Sequence, residues 1–165
     1  MTRCCWPRRV ARGSAGYTFI EMLIVAAILA ILATAAMPLT RVTIQRHREI
    51  TLRRALKEMR TAIDRFKDAA DQGRIATIDL PASGEGYPKD LETLVEGVPL
   101  NNDASGIKLK FLRRIPVDPI MQSAEWQLRS YQDEPDAKSW GGQNVFDVRS
   151  RSEARALDGT FYKDW

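Results

Sequence analysis

Gly16-Tyr17-Thr18-Phe19-Ile20-Glu21 opens an apolar run that carries no further charge from Met22 to Thr40. At about 1.5 Å of rise per residue, Thr18–Leu39 would span roughly 33 Å as a helix, which matches a hydrocarbon core of about 30 Å. The run therefore predicts a membrane helix with one carboxylate at its mouth. An acidic side chain near the centre of a membrane helix costs about 2.5–3.5 kcal/mol, so Glu21 is expected to have a partner. Arg3, Arg8, Arg9 and Arg12 precede the run with no acid among them. That asymmetry predicts a cytoplasmic N-terminus and an exported C-terminal part.

The four leader arginines account for the whole formal net charge of +4, and the rest of the chain is neutral. Arg41, Arg46, Arg48, Arg53 and Arg54 cluster just after the apolar run. They are read as a solvated helix surface facing lipid headgroups rather than a nucleic-acid footprint, so no nucleic-acid partner is expected. Cys4 and Cys5 both lie in the leader, and without it the chain has no cysteine for a disulfide or a metal. A secretory signal peptide cut at Ala33-Thr34-Ala35 is the rival reading of the same run. Glu21 inside its apolar region and the helical pattern beyond residue 38 oppose that reading.

The hexapeptide resembles the prepilin peptidase motif of type IV pilins and type II secretion pseudopilins, with Tyr17 and Phe19 in place of the usual Phe and Leu. The resemblance implies cleavage between Gly16 and Tyr17 and methylation of the new Tyr17 amine. It gives the buried charge a partner: Glu21 of one subunit faces the Tyr17 amine of its neighbour, and a misplaced subunit leaves both unpaired. Glu21 then sets register, one helical turn from Tyr17 on the same helix face.

Pro38 removes a helix hydrogen bond and predicts a kink, with the Thr34 hydroxyl or interfacial water compensating. Beyond it, Leu52, Leu56, Met59, Ile63, Phe66 and Ala70 recur at spacings of four and three, flanked by Ala55, Ala62 and Ala69. This is one apolar stripe on a helix that Gly73 closes, with Arg53, Lys57, Arg60 and Lys67 elsewhere on its surface. Residues 74–86 and 99–106 read as loops, and Tyr87–Gly97 as a short helix. Leu109–Ile115, Trp126–Tyr131 and Val145–Arg149 read as strands. In the third, Val145, Asp147 and Arg149 are expected on one face and Phe146 and Val148 on the other. The fold class is α+β: a pilin-like fold with a long N-terminal helix, transmembrane in one half and amphipathic in the other, packed on a small antiparallel sheet. The divisions are a leader over 1–16, a membrane and assembly half over 17–40, and an exported domain over 41–165 that includes helix 41–72.

Tyr87-Pro88, Ile115-Pro116-Val117-Asp118-Pro119, the aromatic strand 126–131 and Phe146-Asp147-Val148-Arg149-Ser150 are similar to the G-type major pseudopilin of type II secretion. That family closes with a calcium loop. Here Arg151 and Arg155 intrude and the compact spacing is missing, so no metal site is assigned. Ser150, Asp158 and Asp164 are the calcium candidates. The competing account has Leu157, Phe161, Tyr162 and Trp165 pinning the C-terminus to the sheet around a turn at Asp158-Gly159.

His47, the sole histidine, lacks carboxylate company and is expected to be exposed. Ser83-Gly84-Glu85-Gly86 is neither a nucleophile elbow nor a phosphate loop. Asp133, Glu134 and Asp136 read as a surface turn. No enzyme and no cofactor are expected. The resemblance implies a structural subunit of a periplasmic pseudopilus, anchored in the bacterial inner membrane by a single pass. Its expected partners are other copies of itself, other pilin-like subunits, prepilin peptidase, the inner-membrane secretion platform and membrane lipid. A type IV pilus subunit for adhesion, motility or DNA uptake is the alternative in the same class. A signal-anchored periplasmic binding or enzymatic domain is the alternative of another class.

Overall fold

The computed structural model describes residues 16–76, 80, 85–101, 106–137 and 139–165, with the side chains of 35–39 excepted. The leader before Gly16, both cysteines and the turn residues Pro81 and Gly84 lie outside these. Helix α1 runs from Phe19 to Asp71, and the chain divides into two compact units, one ending at Arg41 and the other Val42–Trp165.

In the first unit the helix presents apolar side chains outward: Phe19, Ile20, Leu29, Ile31 and Leu32 are each more than half exposed. Among the described residues no helix is long and apolar enough to cross a membrane. The Pro38 side chain and the kink expected there lie outside the described residues. Thr34 Oγ1 donates to the Ile31 carbonyl at 2.7 Å. A hydroxyl used as donor does nothing for the Thr34 carbonyl that Pro38 deprives of an amide, so the expected compensation is not supplied by this bond.

The second unit is organised by three rows along α1. The core row is the expected stripe: Leu52, Leu56, Met59, Ile63 and Phe66 are buried, with Ala55, Ala62 and Ala69 beside them. Fully burying one such large side chain contributes about 1.5–3 kcal/mol, which makes this row the main source of the unit's stability. The helix ends where expected. Gly73 adopts φ +67°, its amide donates to the Ala70 carbonyl at 2.9 Å, and the Arg74 amide reaches the Ala69 carbonyl at 3.0 Å. That pair of bonds is a Schellman cap, which needs a left-handed residue where only glycine carries no Cβ penalty.

The short helix α2 is Leu91–Glu96, smaller than the expected Tyr87–Gly97. Asp90 starts it, its carboxylate accepting from the Thr93 amide at 2.8 Å and the Thr93 hydroxyl at 2.6 Å. This N-cap displaces Pro88 from the helix start. Gly97 ends it at φ +80°, where a Cβ would sit 2.7 Å from the Leu109 carbonyl oxygen. Both the turn and the close strand behind it exclude any other residue.

Two small antiparallel sheets replace the single expected one. Strands β1 (Val98–Pro99) and β2 (Lys108–Leu109) pair Val98 with Leu109. Strands β3 (Gln127–Arg129) and β4 (Asp147–Arg149) pair Leu128 with Val148. Each expected strand is shortened because its amides find other acceptors. The Phe111 and Leu112 amides both donate to the Leu94 carbonyl, at 3.1 and 2.9 Å. Residues 110–115 therefore dock on the end of α2 instead of extending β2, with Phe111 tilted against Phe66 at 5.2 Å. The Ser130 amide goes to the Asp133 carboxylate at 2.7 Å and the Tyr131 amide to Asn144 Oδ1 at 3.0 Å, which stops β3. The Val145 amide goes to the Pro88 carbonyl at 2.8 Å, delaying β4. Facing also differs from the expected alternation. Val145 and Val148 are both buried, while Asp147 and Arg149 flank Val148 half-buried, because the chain turns between Val145 and the strand.

Candidate processing and assembly site

Gly16, Tyr17 and Thr18 precede α1, and the helix begins one residue later than expected. The Thr18 carbonyl accepts from the Glu21 amide at 3.1 Å and the Met22 amide at 3.2 Å. Glu21 is thus the third helical residue, three after a threonine, which is the spacing of a capping box. A carboxylate in the first turn also sits favourably in the helix dipole, an effect of about 0.3–1 kcal/mol. Tyr17 and Glu21 are both exposed, and Glu21 has no ion pair among the described residues. Because Tyr17 lies before the helix, the same-face relation to Glu21 expected from helical spacing is not formed within the chain. Both groups are left open to something outside it.

Polar residues that the sequence reading passed over hold the C-terminal segment. Extending the core stripe backward by three and then four residues lands on Glu49 and Gln45, a signal that was available in the spacing. Glu49 is nearly buried. One of its oxygens accepts from the Leu157 amide at 2.8 Å, the Tyr162 hydroxyl at 2.9 Å and Gln45 Nε2 at 3.3 Å. Gln45 Nε2 also lies 3.2 Å from the Arg155 carbonyl. A second row, Arg53, Arg60 and Lys67 at heptad spacing, engages the chain alongside. Arg60 donates to Asp147 at 2.7 Å, the Val148 carbonyl at 3.0 Å and the Trp165 main-chain oxygen at 2.9 Å. Arg53 pairs with Asp158 at 3.1 Å and lies 4.1 Å from the Trp165 ring centre. Lys67 bonds Asp71, which raises its pKa, and faces the Tyr87 ring.

The C-terminal segment is therefore clamped to α1. Tyr162 is buried as expected, Phe161 and Trp165 are half-buried, and Leu157 is exposed, so it does not take part in the expected pinning. Burial pushes the Tyr162 hydroxyl above its ordinary value near 10, and its bond to Glu49 adds to the rise, while Gln45 opposes it. A raised folded-state value favours folding fully below the unfolded value, and that contribution fades as pH climbs through the folded one. The unaltered chain is accordingly expected to lose melting temperature above about pH 10, and Tyr162→Phe to flatten that loss. Identical alkaline slopes for the two chains would refute the assignment.

The calcium candidates are brought to different partners. The Ser150 hydroxyl donates to Asp118 Oδ2 at 2.6 Å in a fully buried contact. The Asp158 carboxyl is held below its ordinary value, first by Thr160, whose hydroxyl and amide both donate to it, and then by Arg53. Asp164 lies in a terminal 3₁₀ turn, Tyr162–Asp164. Among the described residues no three His, Cys, Asp or Glu side chains converge to hold a metal, and an arginine on Asp158 is a poor neighbour for a cation. These residues do not fit a calcium loop.

Asp118 is the other residue the reading missed. Set between Pro116 and Pro119, it is fully buried, accepting from the Ile120 and Met121 amides at 2.7 and 3.2 Å as well as from Ser150. His47 is exposed as expected. Asp133 organises its turn through the Ser130 and Gly141 amides, leaving Glu134 and Asp136 exposed.

Residues 11–37 match the family described as the prokaryotic N-terminal methylation motif. The chain thus carries the N-terminal motif of prokaryotic pilin-type proteins, and that motif implies a membrane-anchored N-terminus, processing by prepilin peptidase and assembly with other pilin subunits. It points to a structural protein rather than an enzyme. No curated protein and no solved structure matches the chain.

Proposed function

We propose that this chain is a structural pseudopilin, a subunit of the periplasmic pseudopilus that drives type II protein secretion. The observation that carries the reading is the coincidence at one site of the methylation motif, the Gly16–Glu21 hexapeptide and an outward-facing apolar helix. Cleavage falls between Gly16 and Tyr17 and the Tyr17 amine is methylated. Residues 17–40 anchor the subunit by a single pass in the inner membrane, with residues 41–165 in the periplasm. Exposed apolar side chains on Phe19–Leu32 are unstable in water, and lipid before assembly or neighbouring helices after it remove that exposure. Assembly joins copies of the chain and other pilin-like subunits on the secretion platform.

Intact-mass measurement of the protein from its native membrane tests the first step. The expected mass is that of residues 17–165 plus one methyl group; an intact Met1, or a cut after Ala35, overturns the reading. Deleting the gene separates the machines. A secretion subunit loses protein export while surface pili persist, and loss of pili alone would instead assign the chain to a type IV pilus.

A further inference from the structure

A third row on α1 is open. Arg54, Glu58 and Arg65 lie along the helix beside residues 111–117 and border a groove in the second unit. One cavity of about 700 Å³ is lined by Arg54, Glu58, Arg113 and Arg114. The next, of about 450 Å³, shares Arg54, Glu58 and Arg113 and adds Lys57 and Arg65. Five cations thus border one continuous groove that holds a single acid. None of the five lies within ion-pair distance of a carboxylate among the described residues. The contrast with the neighbouring row is sharp, since Arg53, Arg60 and Lys67 are all paired.

We propose that this basic groove is a docking surface for a second copy of the same chain, which inserts the acidic turn bearing Glu134 and Asp136. The proposal rests on the filament-subunit reading above and names one contact within it. Charge complementarity identifies the occupant. Outside the leader the chain is neutral, so unpaired cations gathered on one side of α1 are balanced by acids elsewhere on the same molecule. Glu134 and Asp136 are exposed and make no ion pair among the described residues. Their turn is also pre-organised. Asp133 accepts from the amides on both of its flanks, and Asn144 accepts from the Tyr131 amide and the Trp140 indole at 3.0 and 2.9 Å. A rigid acidic turn loses little conformational entropy on entering a preformed groove. Because groove and turn are different surfaces, the contact is head-to-tail, the kind that, repeated without closing on itself, builds a filament.

Disulfide trapping between two differently tagged full-length copies tests the contact, in a Cys4→Ser/Cys5→Ser background. Val117→Cys, at the groove edge, goes in one copy and Pro135→Cys in the other, leaving every charge in place. A disulfide-linked heterodimer is expected. Arg113→Glu with Arg114→Glu in the first copy should lower its yield about tenfold, since like charges brought together at an interface are strongly disfavoured. Adding Glu134→Arg and Asp136→Arg in the second copy should restore it, which a misfolded variant would not do. No heterodimer above that of a Glu92→Cys control, or a yield indifferent to the reversals, overturns the proposal. The mature N-terminus, read by mass on the same preparation, reports separately on the pseudopilin reading.

Discussion

Glu21→Gln is expected to leave cleavage after Gly16 intact and to reduce incorporation into filaments about 100-fold or more. Two physical roles for Glu21 predict different outcomes. As the third residue of a capping box, glutamine serves as well as glutamate, and the dipole contribution it forfeits is only about 0.3–1 kcal/mol. As the partner of a neighbour's Tyr17 amine in an apolar environment, the carboxylate cannot be replaced by an amide. Removing one member of a buried ion pair costs about 3–5 kcal/mol, and each 1.4 kcal/mol is about tenfold in an equilibrium. The open Tyr17 and Glu21 of the single chain favour the second role. The measurement is the assembled fraction of processed protein, recovered by shearing or cross-linking, with the N-terminus checked by mass. Assembly of Glu21→Gln at the unaltered level would sink the intersubunit pairing and leave Glu21 as a helix cap.

Asp118→Ala is expected to destabilise the unit Val42–Trp165 by about 3–5 kcal/mol, because three donors lose a buried acceptor at once. The Ile120 and Met121 amides and the Ser150 hydroxyl all converge on this side chain. For a domain of this size the loss corresponds to roughly 10–20 °C in melting temperature. Asp118→Asn should cost less, since its carbonyl oxygen still accepts and the Ser150 hydroxyl can turn to accept from the amide. Ser150→Ala in combination with Asp118→Ala should cost less than the sum of the two, as expected for residues in direct contact. A shift below about 1 kcal/mol for Asp118→Ala, within the range of a typical surface change, would refute the bond network as drawn. The same pair bears on metal binding. Ser150, a calcium candidate from its sequence position, spends its hydroxyl on Asp118, so chelator is expected to leave the melting temperature unchanged.

The legible parts of this protein share a short range in sequence. The apolar run from Phe19 and the stripe from Leu52 to Ala70 are patterns within one helix, where a period of 3.6 residues turns spacing directly into facing. The Gly73 cap was legible for the same reason, since its bonds close over a few residues. The strands were located but overextended. β-Propensity marks which residues suit a sheet, whereas strand ends are set by where each amide finds its acceptor. Here those acceptors are Leu94, Asn144 and Pro88, on other segments, and Asp133 in the turn that follows β3.

The sequence by itself determined a long N-terminal helix that opens with the methylation motif and an apolar run and whose second half packs on an α+β domain, because charge, hydrophobicity and helical period are local properties. Tertiary structure alone decided which polar residues matter to that domain. Glu49 meets Tyr162 across 113 positions, Arg60 meets Asp147 across 87, and Asp118 meets Ser150 across 32. Spacing on the helix places Glu49 in line with the core stripe, but it marks none of these distant partners, and Asp118 and Asp147 carry no such local sign. By the same logic Arg53 and Arg54, adjacent in the chain, part company: one faces the C-terminal clamp and the other an open groove.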